Sequence, residues 1–161
     1  MQTRFAVEAS IGIEDTQMED LLLEVTDCLE FEGYFFIYHS LEEALQAKEL
    51  LAIGNCFEEF HPLCFLASGS EGPAFFDFGI KSKINGYYLL IEHLSMFTIT
   101  GGESTDMEMA VYQFEEHLVF SAKEQNKTFY FIESKDEELI RNIAKAYGVE
   151  VSFFILDKCS K

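Results

Sequence analysis

Apolar and polar positions follow two periods along this chain, and the switches between them mark the expected elements. Met18, Leu21, Leu22, Val25 and Leu29 recur at helical spacing and predict a helix over 16–29. Thr16 and Glu19 stand three apart ahead of that run, the spacing of a capping box. Residues 34–38 are a continuous aromatic and β-branched run, which predicts a buried strand. Ser40 and Glu43 repeat the capping-box spacing and open a helix along Leu41, Ala44, Leu45, Lys48, Leu51 and Ala52. Gly54 is expected to end it in the left-handed conformation. A loop carrying Glu58 and Glu59 then leads to Pro62.

Further on, residues 63–67 and 74–78 read as two strands of a hairpin around Gly69, Gly72 and Pro73. Asn85-Gly86 is a turn, 87–92 a strand, and 93–100 either continues that strand or pairs separately. A helix is expected from Thr105 or Asp106 along Met107, Ala110, Val111, Phe114, Leu118, Ser121 and Ala122, closed by Asn126. Residues 128–132 form a strand, and Ser134 to Glu137 forms a third capping box. The next helix buries Leu139, Ile140, Ile143, Ala144 and Tyr147, with Gly148 as its cap, and 149–156 is a last strand. No internal repeat is visible. The expected fold class is α+β: a mostly antiparallel sheet flanked by helices, with a C-terminal strand–helix–strand making one parallel crossover, in a single domain over 1–161.

Composition narrows the class. Of 161 residues 48% are apolar and 15% aromatic, which excludes a disordered chain. No 20-residue apolar stretch exists to cross a membrane, and the first residues lack a secretory leader, so a cytoplasmic protein is expected. Charge changes the picture more. The chain carries 29 Asp and Glu against 11 Lys and Arg, a net charge of -18. Small soluble domains usually carry a magnitude of about 2–8. Residues 1–60 hold 14 acids and 2 bases, and residues 61–161 hold 15 and 9. On the first predicted helix Asp20, Glu24 and Asp27 stack on one side, where each like-charge pair costs a few tenths of a kcal/mol. Such a surface repels nucleic acid and anionic membrane and speeds association with a basic protein. The candidate partner-binding residues are Asp20, Glu24 and Asp27, with Glu14, Asp15 and Glu30 beside them and Glu42, Glu58 and Glu59 nearby.

Catalytic chemistry finds no footing. Cys28, Cys56, Cys64 and Cys159 are scattered without a CxxC pair and read as reduced thiols. Cys56, His61 and Cys64 approach a zinc pattern but lack a defined fourth ligand, so neither metal nor cofactor is expected. Gly101-Gly102-Glu103-Ser104-Thr105 opens a helix like a phosphate loop, yet has no P-loop lysine, and Glu103 and Asp106 repel phosphate. Ser70 does not sit in G-x-S-x-G, and the four histidines are isolated. Glu-Glu pairs are too common here to single out an acid–base couple.

Residues 31–118 resemble the SUKH superfamily, many of whose members are bacterial immunity proteins. The resemblance runs from Gly33–Tyr38 into Ser40-Leu41-Glu42-Glu43-Ala44, through Pro62 to Gly69, then Phe75-Phe76-Asp77, and ends in Phe114-Glu115-Glu116-His117-Leu118. It implies a cytosolic, non-enzymatic protein that binds and blocks one cognate toxin, and it carries over no contact residue. The expected function is an immunity-type inhibitor of a basic toxin, for example a nuclease whose cationic cleft holds phosphates. Two alternatives stand beside it. One is an acyl-CoA-dependent transferase of degenerate N-acetyltransferase type using the 101–106 turn; the other is an acidic DNA mimic of phage type.

Overall fold

The computed structural model describes residues 1–84 and 86–156, the side chain of Asp15 excepted. Asn85 of the expected turn and Cys159 lie outside the described residues. The chain opens with β1 (Gln2–Ala9), α1 (Met18–Val25), β2 (Glu30–Glu32), β3 (Phe35–Tyr38), α2 (Leu41–Ile53) and β4 (Phe57–Leu66). A connecting region follows: β5 (Ser70–Glu71), α3 (Phe75–Phe78), β6 (Gly79–Lys81) and β7 (Tyr87–Leu90). It leads to β8 (Leu94–Gly101), α4 (Ser104–Glu115), β9 (Leu118–Glu124), β10 (Lys127–Glu133), α5 (Glu137–Ala146) and β11 (Glu150–Phe154). The fold is α+β, as the sequence pattern predicts.

Two sheets form, in the orders β2-β3-β1-β4-β7-β6 and β11-β8-β10-β9-β5, with every pairing antiparallel. Within each lies one βαββαβ unit. Numbered internally, β1–β4 and β8–β11 both take the order 4-1-3-2, the ferredoxin-like arrangement. The chain therefore repeats one topology, although its sequence shows no repeat. The equivalent hairpins illustrate why. Between β2 and β3 the left-handed residue is Gly33 (φ 61°), whereas Gln125 and Asn126 (φ 48° and 65°) turn β9 into β10. Different residues satisfy the same backbone demand. The connecting region braces the halves, since β5 extends the second sheet and β6 with β7 extends the first.

Several expected boundaries move. The first helix covers only Met18–Val25, because the Thr26 hydroxyl donates back to the Leu22 carbonyl (2.6 Å) and meets the Tyr38 hydroxyl (3.1 Å). Leu22 is buried but Leu21 and Val25 are exposed, so the predicted apolar face does not pack as a unit. Thr16 makes no capping box: its hydroxyl donates to the Ile13 carbonyl and accepts the Met18 N–H. The Ser40/Glu43 box forms as expected. After α2 the left-handed residue is Asn55 (φ 56°), not Gly54. Residues 57–62 are strand rather than loop, and Pro62 is tolerated because β7 pairs with β4 only from Leu63 onward. Segment 74–78 is a helical turn, while β5 pairs with β9 where Gly72 packs against the Leu118 backbone, leaving no room for a Cβ.

Helix α4 stops at Glu115, since residues 118–124 pair with β10, with a register shift that puts Leu118 on the helix side and Phe120 and Ala122 between the sheets, and Gln125-Asn126 forms a hairpin turn. Segment 94–101 pairs separately, in the second sheet. Ser134 starts a 3-10 turn rather than a capping box, because the Glu137 carboxylate accepts from the Ser95 hydroxyl (2.6 Å). Gly148 is left-handed as expected (φ 67°). The parallel crossover forms in split fashion: β10 and β11 flank β8, each pairs antiparallel with it, and the two therefore run parallel to one another on its two sides.

Helices cover one face of each sheet. Leu22, Ala44, Ala47 and Leu51 pack on Val7, Phe36 and Tyr38; Ala110, Phe114, Ile140 and Ala144 pack on Phe97 and Ile132. The other face of the second sheet, through Met96, Phe120 and Phe131, packs on Cys64, Leu66, Leu89 and Phe75. Ring centroids of Phe75, Tyr87 and Phe120 lie 4.7–5.7 Å apart at this junction. One core thus joins the two halves.

The first sheet curls until its outer edges meet. Glu30, on β2 at one edge, accepts hydrogen bonds from Ser82 Oγ (2.8 Å), the Lys83 N–H (2.6 Å) and the Tyr88 hydroxyl (3.0 Å) beside the other edge. Lys83 Nζ pairs with Glu32 next to it (2.7 Å). The curl encloses Ala6, Ile37, Leu63, Ile80 and Tyr88. Glu30 is only 8% exposed, so it is a structural latch rather than the partner-binding residue expected.

Truncation of Glu30 leaves the buried Tyr88 hydroxyl without its partner, at about 1–3 kcal/mol, and removes two part-buried hydrogen bonds. Glu30→Ala is therefore expected to lower unfolding stability by roughly 2–4 kcal/mol, and Tyr88→Phe by about 1.5 kcal/mol, in urea titrations. Burial, and then the Glu30 carboxylate, push the Tyr88 hydroxyl up to about 12. The unfolded chain releases that proton near about 10, so this contribution is complete below pH 10 and is lost as pH rises towards 12. Stability measured across that window falls less steeply in Tyr88→Phe than in the parent protein.

Candidate functional site

The candidate surface is built on α1 and the end of α2. Met18 begins α1 and rests its methyl on Gly54, so α1 sits closely over the C-terminus of α2. Met18, Leu21, Gly54 and Cys56, with Asp20 and Glu24, line an open groove of about 410 Å³ between them. Asp20 lies in the first turn of α1, where the positive end of the helix dipole favours an acid. Glu24 lies in the last turn, where the dipole opposes it, and that turn holds no basic residue. Among the described residues no ion pair engages Glu14, Asp20, Glu24, Asp27, Glu42 or Glu58.

Acids alone would read as a solvated face. This helix also exposes Leu21, Leu23 and Val25 by 40–55%. Leu21 lines the groove with Asp20 and Glu24, and Leu23 and Val25 stand exposed elsewhere on the same short helix. Helical spacing alone places Leu21 and Val25 in the core. The available signal was Leu23, which falls off the helical apolar stripe in Leu21-Leu22-Leu23.

The nine expected contact residues do not form one patch. Asp20 and Glu24 share the groove. Glu14 is exposed on the 3-10 turn Ile13–Asp15, which packs against α1, and the Asp15 side chain lies outside the described residues. Asp27 is exposed just beyond α1, and Glu42 is exposed in the first turn of α2. Glu58 is exposed where the β1–β4 register shifts between Glu8 and Ala9. Glu30 is buried in the latch. Glu59 projects from the opposite face of the first sheet, beside Glu8 and His61. Period-two alternation along β4 places it there, a consequence of this segment being strand rather than loop.

Other candidates of the sequence fall apart in space. Cys64 belongs to the core between the sheets and Cys56 to the core beneath α2, whereas His61 lies on the other face of β4, so these three cannot share a metal. Burial pushes the Cys28 thiol up, away from the reactive thiolate. At the 101–106 turn, a Cβ on Gly101 would meet the Glu150 carboxylate at 2.9 Å. Glu150 thus joins Glu103 and Asp106 in making this helix start hostile to a pyrophosphate.

Compared with family models, curated proteins and solved structures, the chain matches none. Among the described residues no helix is long and apolar enough to cross a membrane.

The strain on α1 is measurable. Glu24→Gln is expected to raise stability by about 0.3–1 kcal/mol, by removing both the dipole penalty and the repulsion from Asp20. Asp20→Asn sacrifices a favourable dipole contact and is expected to give little or no gain. Thermal unfolding of the two variants checks the difference.

Proposed function

We propose that this protein is an immunity-type inhibitor that binds a cognate basic protein toxin through the acidic, aliphatic surface of α1. The observation that carries this reading is the set of uncompensated carboxylates, Asp20 and Glu24 in the groove and Asp27 beyond it, together with exposed Leu21, Leu23 and Val25 on the same helix. Charge on this side of the molecule attracts a cationic surface and raises the association rate; the aliphatic side chains then resist dissociation. Blocking a cationic cleft needs no chemistry from the inhibitor, which agrees with a non-enzymatic role in the cytoplasm. The resemblance of residues 31–118 to SUKH immunity proteins supports the same reading.

The test begins with the genes adjoining this one, each expressed alone and together with this chain. A toxic product whose growth inhibition is relieved by this protein, in a complex whose affinity falls steeply with salt, is the expected result. Asp20→Asn, Glu24→Gln and Asp27→Asn combined should slow association by about tenfold at low salt. Leu21→Ala should act on dissociation instead. A rescued partner whose binding ignores both salt and these substitutions would overturn the proposed surface. Rescue that requires a DNA-binding host protein as the target would favour the DNA-mimic reading.

A further inference from the structure

On the face of the first sheet away from α1 and α2, Glu8, Glu59 and His61 stand together. Glu8 and Glu59 are direct partners across β1 and β4, and His61 is the partner of Ala6, two positions along. All three side chains therefore leave the sheet on one side. Like charges directly opposite destabilise an antiparallel pair, so this juxtaposition favours a cation between the two strands. His61 Nε2 lies 2.8 Å from Glu8 Oε2 and 4.0 Å from Glu59 Oε2, and the three ligand atoms all lie within 4.8 Å of one another. Ligand atoms about 2.0 Å from a tetrahedral zinc ion stand about 3.3 Å apart, between the two distances from His61 seen here.

The surroundings hold the group in place. Phe35, the β3 partner of Glu8, sets its ring 5.6 Å from the imidazole. The register shift follows at Glu8/Ala9, and bulges of this kind re-aim side chains beside functional sites. The His61 and Glu8 side chains are 12% and 28% exposed, whereas Glu59 is 62% exposed, so one side is open to solvent.

We propose that Glu8, Glu59 and His61 form a zinc-class divalent metal site with its fourth position open to water. One imidazole nitrogen and two carboxylates suit a borderline ion, whereas calcium and magnesium call for shells of oxygen. Three protein ligands and a water are the count found where zinc activates water rather than only holding a fold. Sequence spacing concealed the set, because Glu8 and His61 lie 53 positions apart and meet only through β1–β4 pairing. The site is independent of the inhibitor reading, being on the other face of the sheet.

Calorimetric titration of the metal-stripped full chain with zinc chloride tests this, with magnesium chloride as the comparison and cobalt chloride as a spectroscopic probe. One zinc ion should bind per chain, with visible cobalt absorption of a tetrahedral site and no comparable magnesium binding. Loss of even an outer partner of a metal site costs about 10–100-fold in affinity, so Glu59→Gln and His61→Gln should each weaken zinc by at least about tenfold. Glu59 is exposed and Glu59→Gln relieves the repulsion from Glu8, so the metal-free variant should unfold no earlier than the parent. Glu138→Gln, on α5, should bind as the parent does. Absence of zinc binding, equal binding of magnesium, or unchanged affinity in both Glu59→Gln and His61→Gln would overturn the site.

Discussion

A buried carboxylate sets the shape of the first half of this protein. Glu30 lies on one edge strand, and its three donors lie beside the opposite edge. A six-stranded antiparallel sheet twists, but twist alone does not fix how far its edges approach. The carboxylate does, because the buried Tyr88 hydroxyl and the buried carboxylate itself would lose their partners if the edges parted. The curl that follows encloses Ala6, Ile37, Leu63, Ile80 and Tyr88.

The second constraint is the shared core. Each βαββαβ unit buries one sheet face under its own helices. The helix-free face of the second sheet needs a further cover, and the β4–β7 region of the first sheet supplies it through Cys64, Leu66 and Leu89. The connecting region is cross-wired between the sheets, so the junction is held by backbone pairing as well as by packing. Two copies of one topology therefore behave as parts of a single hydrophobic assembly. Their charges differ, with most of the net negative charge in the first half.

That charge lies in places that folding alone would not select. Glu24 opposes the dipole of its own helix, and Leu21, Leu23 and Val25 stay in water along that helix. The association with a basic partner proposed above would draw on both features. The Glu8–Glu59 pair is a second such place, on the far side of the same sheet.

Local pattern was legible wherever a period and a cap coincided. The strand at 35–38, the Ser40 capping box with α2, the strand at 127–133 and the Gly148 cap all follow from neighbouring residues. Net charge, its concentration in the first 60 residues and the α+β class were likewise readable from the sequence alone. The tertiary structure decided what depends on partners far along the chain. Residues 118–122 continue the apolar stripe of a helix in sequence, and pairing with β10 makes them a strand. Glu30 and Glu59 read as two more surface acids, until the curl buries one and β4 turns the other to the opposite face. Periodicity reports which side of an element is apolar, but only long-range pairing settles what that side meets.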